Sequence, residues 1–340
     1  MTMFTQHRRR GLIAILTVPL FLGAACGGDS AGDQGGGENV ELTLAHSYTE
    51  QQPQHRCGAQ VIADEVAAAN VGLTVQLFPS SQLGGDADRI QSVISGDIDL
   101  DIQGASALGA VHEPMSVVDA AYAFDDGEHL ARFFGSDASK PLTDGFAEAT
   151  GVTTLGAWSA GSRQFTANQP IRTPEDLANL RLRFPNSPQF LMNAEALGAN
   201  PTEVAYEELY LALQQGIVDG QENPIVNIDA LNLAEVQDYI SLSRHQENSN
   251  LVLVGPRWNE LNPQQQEALS RAVDSAVEQV PGCVEQDEQQ ILEKWRAGGQ
   301  FQIVDDVDVA AFRAKVEPYL RANLSPEQLS VYEAIRGSAA

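Results

Sequence analysis

The chain has 340 residues, 43% of them apolar, which is enough to bury a sizeable core and long enough for about two domains. Its 46 Asp and Glu against 20 Lys and Arg give a formal charge of −26, which repels phosphate backbones and anionic lipid surfaces and excludes nucleic acid as a partner. Most of that charge reads as a solubilising surface.

The first residues read as an export signal. His7-Arg8-Arg9-Arg10 supplies positive charge, and Gly11 to Gly23 is an apolar run of signal length, too short to span a bilayer. Leu22-Gly23-Ala24-Ala25-Cys26 resembles a lipobox, at which cleavage leaves a lipid-modified cysteine, although Gly23 stands where Leu is usual. Residues 1–26 are therefore expected to be a signal peptide with Cys26 as a lipidation site, the alternative being a soluble protein cut near Ala25. Residues 27–39 hold six glycines and no large apolar side chain, as a flexible tether does.

Val40 to Leu44 alternates as a half-buried strand, a helix is expected from about Pro53 to Asn70, and Leu73 to Phe78 alternates again. Ile90, Val93 and Ile94 mark a helical stripe, and Ile98 to Ile102 reads as the next strand. This succession implies right-handed crossovers and a parallel sheet, with ligands binding beyond the carboxyl ends of the strands. Those ends lie near Ala45–Tyr48, Pro79–Gly85 and Gln103–Ser106.

Val152 to Leu155 opens a second series. Thr173-Pro174-x-Asp176 is a helix start with a capping-box acid, and Arg181 to Phe184 is a strand with Leu182 and Phe184 on one face and both arginines on the other. Glu207 to Val218 is helical in pattern, with Gly220 expected to make the left-handed C-terminal turn. Asn262-Pro263 and Ser325-Pro326 start later helices, while the strand-like Leu251–Val254 suggests that the chain returns to its first lobe. Cys57 and Cys283 are either one disulfide or two separately buried thiols. The six histidines are scattered, and no metal spacing occurs.

Three motifs follow in close order: Gly161-Ser162-Arg163-Gln164-Phe165-Thr166, Pro170-Ile171-x-Thr173-Pro174-Glu175-Asp176-Leu177 and Leu180-x-Leu182-Arg183-Phe184-Pro185. Leu197-Gly198-Ala199-x-Pro201, Glu208-Leu209-Tyr210-x-Ala212-Leu213-Gln214-Gln215-Gly216 and Val218 to Pro224 continue the series, and Ser80 to Gly84 precedes it. From about residue 40 to 335 the chain resembles the substrate-binding proteins of tripartite ATP-independent periplasmic (TRAP) transporters, of the dicarboxylate-binding type. The resemblance implies an α/β, two-lobed periplasmic-binding-protein-like fold, with a ligand cleft between the lobes and a helical C-terminal region. Lobe I is expected over 40–160 plus about 249–288, and lobe II over 161–248 plus about 289–340.

The resemblance also implies that Arg183 forks onto a ligand carboxylate, as its planar guanidinium suits. Arg163 is placed as a second cationic contact, Asn223 as an amide donor and Tyr206 as an aromatic wall. From the first lobe, His46, Ser47, Tyr48, Gln103 and Ser106 are expected to meet the rest of the ligand, and Trp158 to line the cleft. The ligand is expected to be a small organic acid: a C4-dicarboxylate, keto acid or sugar acid. Expected partners are the small and large integral membrane subunits of the transporter, with the chain outside the cytoplasm in the periplasm or on the outer face of the membrane, held by its lipid. At physiological salt, screening over about 8 Å hides most distant carboxylates, so nearby arginines govern an anionic ligand despite the net charge. No nucleophile elbow or phosphate loop supports an enzyme, and no cofactor is expected. The rival readings are an enzyme on the same scaffold, a binding protein reporting to a receptor or sensor kinase, and an adhesive lipoprotein.

Overall fold

A computed structural model describes residues 39–339. The export signal, Cys26 and all but the last residue of the tether lie outside the described residues. Nine strands form one mixed sheet: β1 Val40–His46, β2 Leu73–Phe78, β3 Leu100–Gln103, β4 Thr153–Ala167, β5 Arg181–Phe184, β6 Asn200–Glu203, β7 Gly220–Pro224, β8 Tyr239–Val254 and β9 Gln302–Val304. Their order is β2-β1-β3-β8-β4-β7-β5-β6, with β9 beside β8.

Two long strands organise this sheet. Leu251–Val254 of β8 pairs antiparallel with β3, which is parallel to β1 and through it to β2. The other end of β8, Tyr239–Ser241, pairs with β9. Likewise Thr153–Ser159 of β4 lies beside Ser249–Val254, whereas Arg163–Ala167 lies beside β7, which is parallel to β5. The sheet thus has two halves joined by β4 and β8, and the register between these strands shifts at Ser159/Ser162 and again at Arg163/Phe165. Gly161 at φ 91° and Arg244 at φ 42° absorb the irregularity.

Helices cover both faces. On one face of the first half, Leu42, Leu44, Leu73 and Leu100 pack against Ile62 and Val66 of the helix Gln60–Ala68 and against Leu269, Val273 and Val280 of the helix Pro263–Gly298. The latter helix continues to Trp295, which packs with Leu209, Ile228 and Ile240 of the second half. Cys57 and Cys283 are bonded, tying this helix to the segment Gln54–Ala59. A third core runs along the remaining face, from Ile90 and Leu108 to Phe165, Phe184, Phe312 and Leu320. The last helix, Pro326–Gly337, lies on residues of the first half: His129 Nε2 meets the Ile335 carbonyl at 2.8 Å and Arg336 donates to the Ala123 carbonyl at 2.9 Å.

Local chemistry explains the boundaries. Thr173, Asn262 and Ser325 each close a capping box, with Asp176, Gln265 and Gln328 as partners. Two local expectations are corrected. The helix over 207–218 is short, a 3-10 turn Tyr206–Glu208 followed by Leu209–Gln214, and the left-handed turn falls at Gly216. Gly220 opens β7 instead, where a side chain would press on the Thr166 carbonyl and Leu182. The third strand begins at Leu100 rather than Ile98, because the Asp99 carboxylate folds back to accept from Thr43 N at 2.8 Å.

Candidate functional site

A cavity of about 420 Å³ lies where the ends of β1, β3 and β5 meet the middle of β4, β7 and β8. Its volume is within the ~300–1,000 Å³ usual for small-molecule sites. Ser47, Tyr48, Gln103, Ser106, Arg163, Arg183, Tyr206 and Asn223 all line it. His46 and Trp158 do not, and those two expectations are corrected. His46 ends β1 with its ring turned into the protein, against His55 Nδ1 at 3.1 Å, while its Nδ1 accepts from Tyr48 N. Burial, then His55, pulls the His46 imidazole down to about 3, so it stays neutral. Trp158 is 1% exposed and belongs to the core of the first half, where Gly58 leaves room for its ring.

The three arginines of the wall stand in different electrostatic states. Arg89, in the first turn of the helix Asp86–Ser95, donates from Nε to Asp101 and from Nη2 to Asp86, both at 2.9 Å, and from Nη1 to the Gly84 carbonyl. Burial pushes the Asp101 carboxyl up to about 6, opposed by Arg89 itself. Arg163 on β4 forks onto Glu222 of β7, with Nη2 2.7 Å from Oε1 and Nε on Oε2, while Nη1 donates to Asn248 at 2.5 Å. Its guanidinium lies 4.8 Å over the Phe190 ring. Burial alone would raise the Glu222 carboxyl, but Arg163 and then His245 outweigh it and hold it below the usual range.

Arg183 differs from both. Leu182 and Phe184 turn into the core, so alternation turns Arg183 to the cavity side, where it is 2% exposed. Its Nε donates to the Val204 carbonyl at 2.8 Å, and Nη1 is buried with no partner. Among the described residues no carboxylate lies within ion-pair distance of it. Burial pulls the Arg183 guanidinium down to about 10, still fully charged at neutral pH. An unpaired buried cation on a cavity wall can receive an anion, and a planar fork suits a carboxylate or phosphate.

Sequence reasoning missed Arg89, Asp86, Asn248 and Asn250, all of which line the cavity. Asn248 and Asn250 sit inside β8 among polar neighbours, where no hydrophobic alternation marks a strand. Glu222 stood within a quoted motif without a role. Its partnership with Arg163 depends on the β4–β7 register, which places the two as diagonal neighbours.

Residues 44–326 match the family described as bacterial extracellular solute-binding protein, family 7 (DctP). The sialic acid-binding periplasmic protein of Vibrio cholerae is 30% identical over 262 residues, which covers 76% of this chain and 81% of that protein. A TRAP periplasmic solute binding protein from a Polaromonas species, bound to D-erythronate, superposes with a TM-score of 0.83 at 28% identity, covering 88% of this chain and 99% of that one. One from Roseobacter denitrificans with bound L-galactonate gives 0.81 at 28% identity, with 88% and 99% covered.

Proposed function

The chain belongs to family 7 of the bacterial extracellular solute-binding proteins, and from that premise we propose that it is the solute-binding subunit of a TRAP transporter, capturing a small organic carboxylate and handing it to membrane subunits. The observation that carries this reading is Arg183, a buried guanidinium on a cavity wall with no protein carboxylate beside it. Ligand carboxylate oxygens supply the missing acceptors, and in a water-poor cavity such charge-assisted hydrogen bonds strengthen. Arg163 is already neutralised by Glu222, so its part is to fix Asn223 and Asn248 rather than to hold the anion.

In this reading 40–160 with about 249–288 form one lobe and 161–248 with about 289–325 the other, β4 and β8 being the hinge; the last helix, expected in the second lobe, packs back on the first through His129 and Ala123. Closure over the ligand is the state that the membrane partner recognises. The protein acts by binding and not by catalysis. No observation favours a sensor role, and among the described residues no helix is long and apolar enough to cross a membrane. A lipid on Cys26 is the proposed attachment to the membrane, on sequence alone; intact-mass analysis of the membrane fraction is expected to find a diacylglycerol adduct there, and an unmodified protein cut near Ala25 would contradict it.

A thermal-shift screen tests the function. Small organic acids are expected to raise Tm in proportion to the logarithm of their concentration, whereas the matching neutral sugars leave it unchanged. If neutral sugars stabilise as well as acids, the carboxylate reading fails.

A further inference from the structure

We propose that this cavity takes a monocarboxylate with hydroxyl groups along its chain, an aldonate-type acid, and that the wall contributed by the first half of the sheet discriminates against a second carboxylate. The inference rests on the reading of Arg183 as the carboxylate seat. It is carried by what remains of the wall once that seat is filled.

The first observation is charge. Of the three cavity arginines, Arg89 is clamped by Asp101 and Asp86, and Arg163 by Glu222, so only Arg183 is left to neutralise an incoming anion. The wall of the first half also presents Asp86, whose side chain is 48% exposed, and the buried Asp119, which accepts from Ser106 N, Ser249 N and Ser249 Oγ. A second ligand carboxylate finds no unpaired cation there and faces two acids of its own sign.

The second observation is the hydrogen-bond inventory. Asn250 is fully buried; its Nδ2 donates to Tyr48 Oη at 2.6 Å and to the Ser249 carbonyl at 2.9 Å, while its Oδ1 has no partner. Tyr48 Oη, as acceptor of that bond, keeps its own O–H to donate. Asp86 Oδ1 takes Arg89 and Ser47. This wall therefore offers one acceptor without a donor, Asn250 Oδ1, beside a hydroxyl that can give. An ionised carboxylate has no donor to offer, whereas each hydroxyl of a polyol chain donates and accepts. A hydroxy acid satisfies both ends of the cavity, while a dicarboxylate leaves Asn250 Oδ1 unmet and adds a second charge with no cation to receive it. At ~30 Å³ per water-sized volume, a cavity of about 420 Å³ has room for an acid of roughly a dozen non-hydrogen atoms with some water.

The test is calorimetric titration with four- to six-carbon aldonates, each paired with the aldarate of the same configuration, and with succinate. At least one aldonate is expected to bind, with its aldarate and succinate at least tenfold weaker. Asp86→Asn, which frees one edge of Arg89, is expected to narrow that gap at least threefold. An aldarate or succinate binding as tightly as the best aldonate overturns the inference, as does a panel in which no aldonate binds. The underlying reading is checked separately with Arg183→Gln: loss of every bound acid upholds the carboxylate seat whichever class wins, and unchanged affinity refutes the seat itself.

Discussion

At the scale of residues, the site is a set of buried charges in unequal states of compensation. Removing one partner of a buried pair leaves an uncompensated charge, and Arg183 stands in that condition by construction. Its cost is borne by the ligand-free protein. Arg183→Met is therefore expected to raise the Tm of the ligand-free protein by a few degrees, about 1–3 kcal/mol, while removing acid binding. A fall in Tm measured by calorimetry would mean that Arg183 is compensated in a way this geometry does not contain. Arg183 was legible from its motif and from the alternation of Leu182 and Phe184. The failures at His46 and Trp158 have one cause. Position at the end of β1 for His46, or just before the Gly161–Thr166 motif for Trp158, is readable in a sequence, but which face the side chain takes depends on the neighbours it packs against, here His55 and Gly58.

At the scale of elements, the joining strands were the least legible. Their ends, Val152–Leu155 and Leu251–Val254, carry apolar residues, but the interiors hold Ser159, Arg163 and Gln164 in β4 and Gln246 to Asn250 in β8. Those polar residues are buried because they build the cavity wall and its networks, so hydrophobic patterning is silent there. The crossing itself holds a pair of acids. Glu247 accepts from Ser162 Oγ at 2.7 Å and from Ser159 Oγ, and Glu288 of the long helix lies against Gly161, with one oxygen buried and unpartnered. Burial, then Glu247, pushes the Glu288 carboxyl up to about 8, with Arg244 opposing and Glu285 adding to the rise. The folded state holds this proton more tightly than the unfolded chain. Its contribution is thus complete below the ordinary Glu value and is lost as the pH rises through about 8. Denaturant titrations are expected to show stability falling between about pH 5 and 8 by on the order of 2–4 kcal/mol, and Glu288→Gln is expected to flatten that fall. An unchanged slope in the variant would assign the pH dependence to other groups.

At the scale of the whole molecule, the first βαβ series and the helix starts were readable because local periodicity and caps dictate them. The joining of the two halves was not, because it depends on pairings such as Thr153 with Val254, far apart in the chain. Hydrogen bonds link the halves beside the cavity: Asn193 accepts from Ala121 N and donates to the Asp119 carbonyl, Gln52 donates to Asn227 at 3.2 Å, and Ser81 donates to Glu207 at 2.7 Å. The Ser81–Glu207 bond is solvent-exposed, and Ser81 is held at φ 55°, so this contact exchanges readily with water. The ligand-free protein is accordingly expected to sample a more open form, and small-angle scattering to report a smaller radius of gyration on saturation with acid. Identical radii would remove closure from the account. The central claim, that Arg183 holds the ligand carboxylate through its fork, is tested most directly by titrating the acid into the wild type and Arg183→Lys under the same buffer. Lysine keeps the charge but loses the planar pair of donors, so the account predicts affinity at least tenfold weaker; equal affinity in the two proteins would contradict it.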